Sequence, residues 1–236
     1  KAKVKNVTAN EVKPTIPFHY QDRILLVGEG DFSFARSLVE HHQCHAVIAT
    51  CYDSRAELFD KYKPRAEENV SFLEDAQMTV VDCIDATKLN QALRAADGSY
   101  DRILFNFPHV GGKSTDVNRQ VRSNQELLVK FFTSAMPLLD DNGTIVVTLF
   151  EGEPYTLWNI KDLARHSGLE VQRSFKFVAD AYPGYSHART LGNIEGGGSW
   201  KGEDRDARSY IFQRKRQTAE ITEPMLTKSD GKKRKR

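Results

Sequence analysis

The chain has 236 residues, enough for one large domain or two small ones, and 39% hydrophobic with 28% charged residues argues against wholesale disorder. No apolar run nears the ~20 residues of a membrane-spanning helix, and no basic-then-apolar leader is visible. Three cysteines without C-x-x-C spacing (Cys44, Cys51, Cys83) argue against a disulfide scaffold and a four-ligand zinc site, so neither membrane association nor a metal is expected.

Residues 1–19, with Pro14 and Pro17 and no periodicity, read as an N-terminal arm. Residues 23–28 (Arg-Ile-Leu-Leu-Val-Gly) form a buried strand ending in glycine, and residues 32–42 follow with helical spacing of Phe34, Ala35, Leu38 and Val39. Residues 46–52 are a second apolar strand closed by Asp53. Residues 54–76 are helical with a break near Pro64, and residues 78–81 are a third strand. A short helix is expected over 86–95, a fourth strand over 100–107, and a long amphipathic helix over 116–139 that stops at Asp140-Asp141-Asn142-Gly143. Residues 144–150 read as a fifth strand and 157–166 as a further helix. Strands alternating with helices argue for a parallel sheet covered on both faces.

The last quarter breaks that alternation. Residues 169–178 and 209–214 read as strands, but the stretch between them holds Pro183, Gly184, Gly192, Gly196-Gly197-Gly198 and Gly202, so an antiparallel pair is expected. The expected fold is α/β and Rossmann-like, with a mainly parallel seven-stranded sheet, a C-terminal antiparallel hairpin and helices on both faces. It occupies residues 20–216 and is followed by a basic tail, 217–236. This is the plan of class I methyltransferases. A nicotinamide-binding Rossmann domain would place a helix between its last strands.

Gly28-Glu29-Gly30-Asp31-Phe32-Ser33 joins the first strand to the first helix, and its glycines permit close backbone approach of a ligand. Ser33 replaces the third glycine of a dinucleotide fingerprint. Asp53, 25 residues after Gly28, stands where a carboxylate can accept ribose hydroxyls. Glu29 and Asp31 suit a cofactor carrying a sulfonium and an ammonium better than a pyrophosphate, which favours S-adenosylmethionine over NAD. Asp82 and Asp85 follow the third strand. Asp85 can contact an adenine edge, cap the next helix, or do both.

Asn106-Phe107-Pro108-His109 ends the fourth strand and resembles the Asn/Asp-Pro-Pro-Tyr/Phe loop of nitrogen methyltransferases, with Phe107 in place of the first proline. Asn106 can accept an N–H of a planar target. Phe107 or His109 can wall the ring, Pro108 fixes the turn, and His109 is a candidate proton acceptor. Gly112-Lys113-Ser114 resembles the end of a phosphate loop, but Phe107 stands where that loop requires glycine. In residues 180–208, Tyr182, Tyr185, His187, Arg189, Trp200, Lys201, Arg205 and Arg208 interleave aromatics with cations, the combination that binds unstacked RNA. Residues 1–17 carry +3 and 228–236 carry +5 around an acidic body, and the run 232–236 (Lys-Lys-Arg-Lys-Arg) reads as a nuclear address or nucleic-acid tether.

Three blocks, residues 23–35, 105–112 and 182–192, resemble signature blocks of the fungal 25S rRNA (uridine-N3)-methyltransferases, a domain also fused in animals to a ferredoxin-fold anticodon-binding domain. The resemblance covers about residues 20–215. It implies a class I fold, S-adenosylmethionine, methylation of uridine N3 in large-subunit ribosomal RNA or a pre-ribosomal particle, and a place in the nucleus and nucleolus. It puts Gly28 to Phe32 on the cofactor loop and Asn106 to His109 on the acceptor loop. A monomer is expected. The residues alone leave open methylation of another RNA base, a small-molecule methyltransferase, a non-catalytic RNA-binding module, and a nicotinamide dehydrogenase that the hairpin and the acidic loop oppose.

Overall fold

A computed structural model of the chain describes residues 13–89, 93, 99–111, 116–190, 192 and 202–215. Seven strands form one sheet: β1 (Arg23–Val27), β2 (Ala46–Thr50), β3 (Thr79–Val81), β4 (Tyr100–Asn106), β5 (Leu139–Phe150), β6 (Leu169–Phe177) and β7 (Ala207–Arg214), in the order β3-β2-β1-β4-β5-β7-β6. β1 to β5 are parallel, and β7 lies antiparallel between β5 and β6. The strand order reverses between β1 and β4, the switch point outside which α/β sheets bind their ligands. Gly28, Asp53 and Asn106 therefore meet at one end of the sheet because each ends or follows a parallel strand.

Alternation along the strands divides the core between the two faces. Leu25, Val27, Ile103, Phe105, Ile145 and Val147 pack toward α4 (Val117–Ala135) and its Leu128, Phe131 and Phe132. Ile24, Leu26, Leu104 and Val146 pack toward α1 (Ser33–Glu40) and α3 (Arg65–Asp75), with Leu38, Val70 and Leu73. Both faces are covered, which is why these strands read as unbroken apolar runs. α2 (Arg55–Tyr62) begins with a capping box between Ser54 and Glu57. The short α5 is Ile160–His166.

The structure corrects the bounds of three expected helices. The helix expected over 116–139 ends at Ala135, where Pro137 sits in a single 3-10 turn, Met136–Leu138, and β5 starts at once at Leu139. Asp140-Asp141-Asn142-Gly143 is not a turn but the start of that strand, which crosses a register irregularity opposite Tyr100 and Arg102. A Cβ on Gly143 would lie 2.8 Å from the Tyr100 carbonyl oxygen, so glycine there serves strand approach. The helix expected over 157–166 is divided by Asn159 at φ 49° into a 3-10 turn, Tyr155–Trp158, and α5. Of the helix expected over 86–95, Ala86–Lys88 is a 3-10 turn, and much of the remainder lies outside the described residues.

Candidate active site

The cofactor loop is built by backbone geometry. Gly28 has φ +70°, and a Cβ there would stand 2.5 Å from the Phe105 ring. The Glu29 N–H donates to the Thr50 carbonyl at 2.8 Å, tying the loop to the end of β2. Glu29 Oε2 accepts the Ala35 N–H at 3.2 Å, over the first turn of α1. Burial pushes its carboxyl up to about 8; the Ala35 bond opposes the rise and the charge of Asp31 adds to it.

Most of the other side chains in this loop are committed to the protein. Asp31 Oδ1 accepts from the Ser33 N–H (3.0 Å) and hydroxyl (2.6 Å), Oδ2 lies 3.6 Å from Arg65 Nε, and Phe32 is fully buried at φ 60°. Glu29 and Asp31, expected to meet a positive cofactor, both hold hydrogen bonds within the protein. Burial favours the protonated form of Glu29, and Asp31 is buried against Ser33 and Arg65. What this loop offers a ligand is backbone.

Asp53 follows β2 with one oxygen, Oδ1, held 2.6 Å from Lys61 Nζ. Asp82 accepts the Arg55 N–H at 3.0 Å, at the start of α2. Asp85 accepts from the Thr87 N–H (2.8 Å) and hydroxyl (2.7 Å), so it caps the following turn.

The acceptor loop leaves β4 at Asn106. Asn106 Oδ1 accepts from the Thr148 hydroxyl at 2.8 Å, and Thr148 Oγ1 lies 2.9 Å from Ser209 Oγ. Thr148 has one proton and gives it to Asn106, so Ser209 donates to Thr148. This relay across β4, β5 and β7 fixes the amide with its NH₂ uncommitted to Thr148. Phe107 has φ 52°, which proline, locked near −65°, cannot adopt. The departure from the Pro-Pro pattern is thus a change of backbone path and not only of side chain. Pro108 is buried beside it.

His109 Nδ1 accepts the Gly111 N–H at 2.9 Å. Burial holds its pKa below the usual range, so the ring is neutral at pH 7. A neutral ring accepting at Nδ1 carries its proton on Nε2. In this conformation Nε2 of His109, expected as a proton acceptor, is a donor and Nδ1 is engaged by Gly111.

The segment 182–190 is a strap across these loops. The Ser186 N–H donates to Ser33 Oγ at 3.0 Å, and the Ser186 carbonyl lies 3.2 Å from the same hydroxyl, whose proton goes to Asp31. Tyr62 OH donates to the Arg189 carbonyl at 2.7 Å. His187 packs edge-on to Phe107, with centroids 4.7 Å apart, and lies 5.1 Å from Phe150. Tyr185 OH lies 3.3 Å from His187 Nδ1. Burial pushes the His187 pKa down to about 4.

Tyr182, expected to face substrate, is instead buried, stacked on Phe177 at 5.4 Å and packed against Phe34 at 4.7 Å. Trp200 and Lys201 lie outside the described residues. A cleft of about 220 Å³ lies behind the strap, lined by residues of α1, α3 and the strap, with none from the strand ends.

Thr148, Ser209, Tyr62 and Glu203 were not singled out by the sequence. A hydroxyl buried in an apolar strand, as at Thr148 and Ser209, is the one signal that pointed to any of them. Glu203 accepts the His187 N–H, and a Cβ on Gly202 would stand 2.5 Å from the His187 ring.

A family model described as rRNA (uridine-N3-)-methyltransferase BTM5-like matches residues 25–189. A 25S rRNA (uridine(2634)-N(3))-methyltransferase of Saccharomyces cerevisiae is 32% identical over 252 residues, covering 84% of this chain and 74% of that one. A ferredoxin-fold anticodon-binding domain-containing protein 1 homolog of Mus musculus is 38% identical over 175 residues, 69% of this chain but 27% of that one. Among solved structures, TrmN from Thermus thermophilus has the same fold at 15% identity and a TM-score of 0.50, over 82% of this chain and 44% of that one.

Proposed function

The chain belongs to the rRNA (uridine-N3-)-methyltransferase family, and from that premise we propose that it methylates N3 of a uridine in large-subunit ribosomal RNA, on the loop formed by Asn106, Phe107, Pro108 and His109. S-adenosylmethionine is the methyl donor, and when bound it supplies an electrophilic methyl group. Gly28 and Gly30 give it close backbone approach, Asp53 accepts from its ribose, and the turn at Asp85 borders its adenine.

The observation that carries this reading is the Thr148–Asn106 bond of 2.8 Å. It holds an amide rigidly at the switch point, one strand from the cofactor loop, with donors to spare for a uracil carbonyl. Rigid placement of a donor where charge develops is the main electrostatic device of such sites. N3 lies on the pairing edge, so the target uridine must be extruded from any pair. Phe107, Tyr185 and His187 form the apolar wall against which it is held, and Arg189, Trp200 and Lys201 serve the flanking RNA.

Residues 20–216 are the catalytic domain, preceded by the arm 1–19 and followed by the tail 217–236. The tail's basic run supplies a nuclear and nucleolar address or a weak RNA tether. The substrate is ribosomal RNA or a pre-ribosomal particle, and the protein acts as a monomer. Among the described residues no helix is long and apolar enough to cross a membrane. Incubation with ribosomal RNA and S-adenosylmethionine, followed by nucleoside analysis, tests the reading: 3-methyluridine supports it, and methylation at any other atom refutes it.

A further inference from the structure

We propose that the acceptor loop at residues 106–109 receives its target uracil as the N3-deprotonated anion, with the guanidinium of Arg205 as the stabilising cation and no protein side chain as base. The proposal rests on the uridine-N3 reading above and adds to it the protonation state of the substrate and a residue that sets it.

Arg205 follows the 3-10 turn Gly202–Asp204 that backs the strap. Its guanidinium carbon stands 4.2 Å over the Phe150 ring and 5.5 Å from that of Tyr155. Phe150 in turn lies 4.5 Å from Phe107, and His187 touches both, so the cation rides on the aromatic stack that carries the acceptor loop. Arg205 is only partly exposed, yet among the described residues its guanidinium neither donates a hydrogen bond nor meets a carboxylate. Its neighbour Arg208 is bound to Glu151 at 2.6 Å. A half-buried guanidinium with uncommitted donors is poised for an acceptor that arrives with the substrate.

The surrounding groups complete the case. Asn106 keeps its NH₂ for donation, and His109 carries its proton on Nε2. His187, on the strap, is too weakly basic to hold a proton near neutrality. Around the cation, Glu151 is taken by Arg208, Glu203 by the His187 N–H, and Asp206 by Lys176 at 2.7 Å; Tyr155, beneath it, is a phenol. Among the described residues the site is rich in donors and lacks a committed base, which matches a uracil anion whose charge is spread over O2 and O4.

In the step proposed, the N3–H bond breaks with its proton passing to hydroxide or buffer in solvent. The N3 lone pair then forms the N3–CH₃ bond as the S–CH₃ bond breaks. An anion and a sulfonium become neutral 3-methyluridine and a neutral thioether.

The test is single-turnover methylation against pH, using RNA with uridine or 5-fluorouridine at the target, since fluorine acidifies N3–H. The rising limb is expected to move to lower pH with 5-fluorouridine, by the difference in acidity of the two nucleosides. Arg205→Met should slow uridine methylation about 100-fold at pH 7 and move the limb to higher pH. Its loss on 5-fluorouridine should be smaller, Arg205→Lys should recover part of the rate, and cofactor affinity and melting temperature should hold. A limb at the same pH for both substrates would mean that a protein base sets it, and equal slowing of both substrates by Arg205→Met would remove Arg205 from the charge; either overturns the proposal. Wild-type protein that forms no 3-methyluridine at all would instead refute the function on which it rests.

Discussion

A Cβ placed on Gly30 would stand 2.4 Å from the Cβ of Ala188, nearer than two non-bonded carbons can come. The strap therefore sits directly on the cofactor loop, and glycine at 30 is required by that contact.

Gly30→Ala is expected to lift the strap and weaken both cofactor binding and turnover. Adding Ala188→Gly should restore much of each, because residues in contact are not additive. Calorimetric titration of the two single variants and the double variant measures this. A double variant as weak as the sum of its parts would mean that the strap does not support the site.

Asp53→Ala removes a charged acceptor from the proposed ribose position and should cost ~1.5–3 kcal/mol of cofactor affinity, roughly 10-fold to 150-fold. It also frees Lys61, whose Nζ is 2.6 Å from Asp53 Oδ1. A folded Asp53→Ala protein with wild-type affinity would place the ribose elsewhere.

His109→Ala should lower the rate without moving the acid limb of the pH–rate profile, because its Nδ1 already accepts from Gly111. A limb that shifts would restore His109 as the base.

The strand ends at Gly28, Asp53 and Asn106 were readable because a strand buried on both faces leaves an apolar run with an abrupt polar stop. The hairpin of β6 and β7 was readable because glycine and proline fill the place of a helix. Four features were not. The end of α4 is set by Pro137 and by the pinch of Gly143 against Tyr100, which periodicity does not reveal. The burial of Tyr182 depends on Phe34 and Phe177, and His109's acceptor bond depends on a loop backbone. Arg205 finds Phe150 across 55 residues of chain, a contact that leaves no local pattern.

Glu29 links stability to pH. Its unfolded value is near 4.5 and its folded value about 8, so between them the folded chain binds more protons than the unfolded one. Stability from this group is therefore full below 4.5 and falls as pH rises toward 8. Denaturant unfolding from pH 5 to 8 should show wild type losing stability relative to Glu29→Gln. Parallel curves would mean that the carboxyl is already ionised.

The most direct measurement is methyl transfer from labelled S-adenosylmethionine to ribosomal RNA by wild type and Asn106→Ala in parallel, with the modified nucleoside identified in each. Wild type should yield 3-methyluridine, and Asn106→Ala should lose at least about 100-fold in rate, the cost of removing one positioned donor, while still binding the cofactor. Full turnover by Asn106→Ala, or a methyl group found anywhere but N3 of uridine, would contradict the assignment of the acceptor loop.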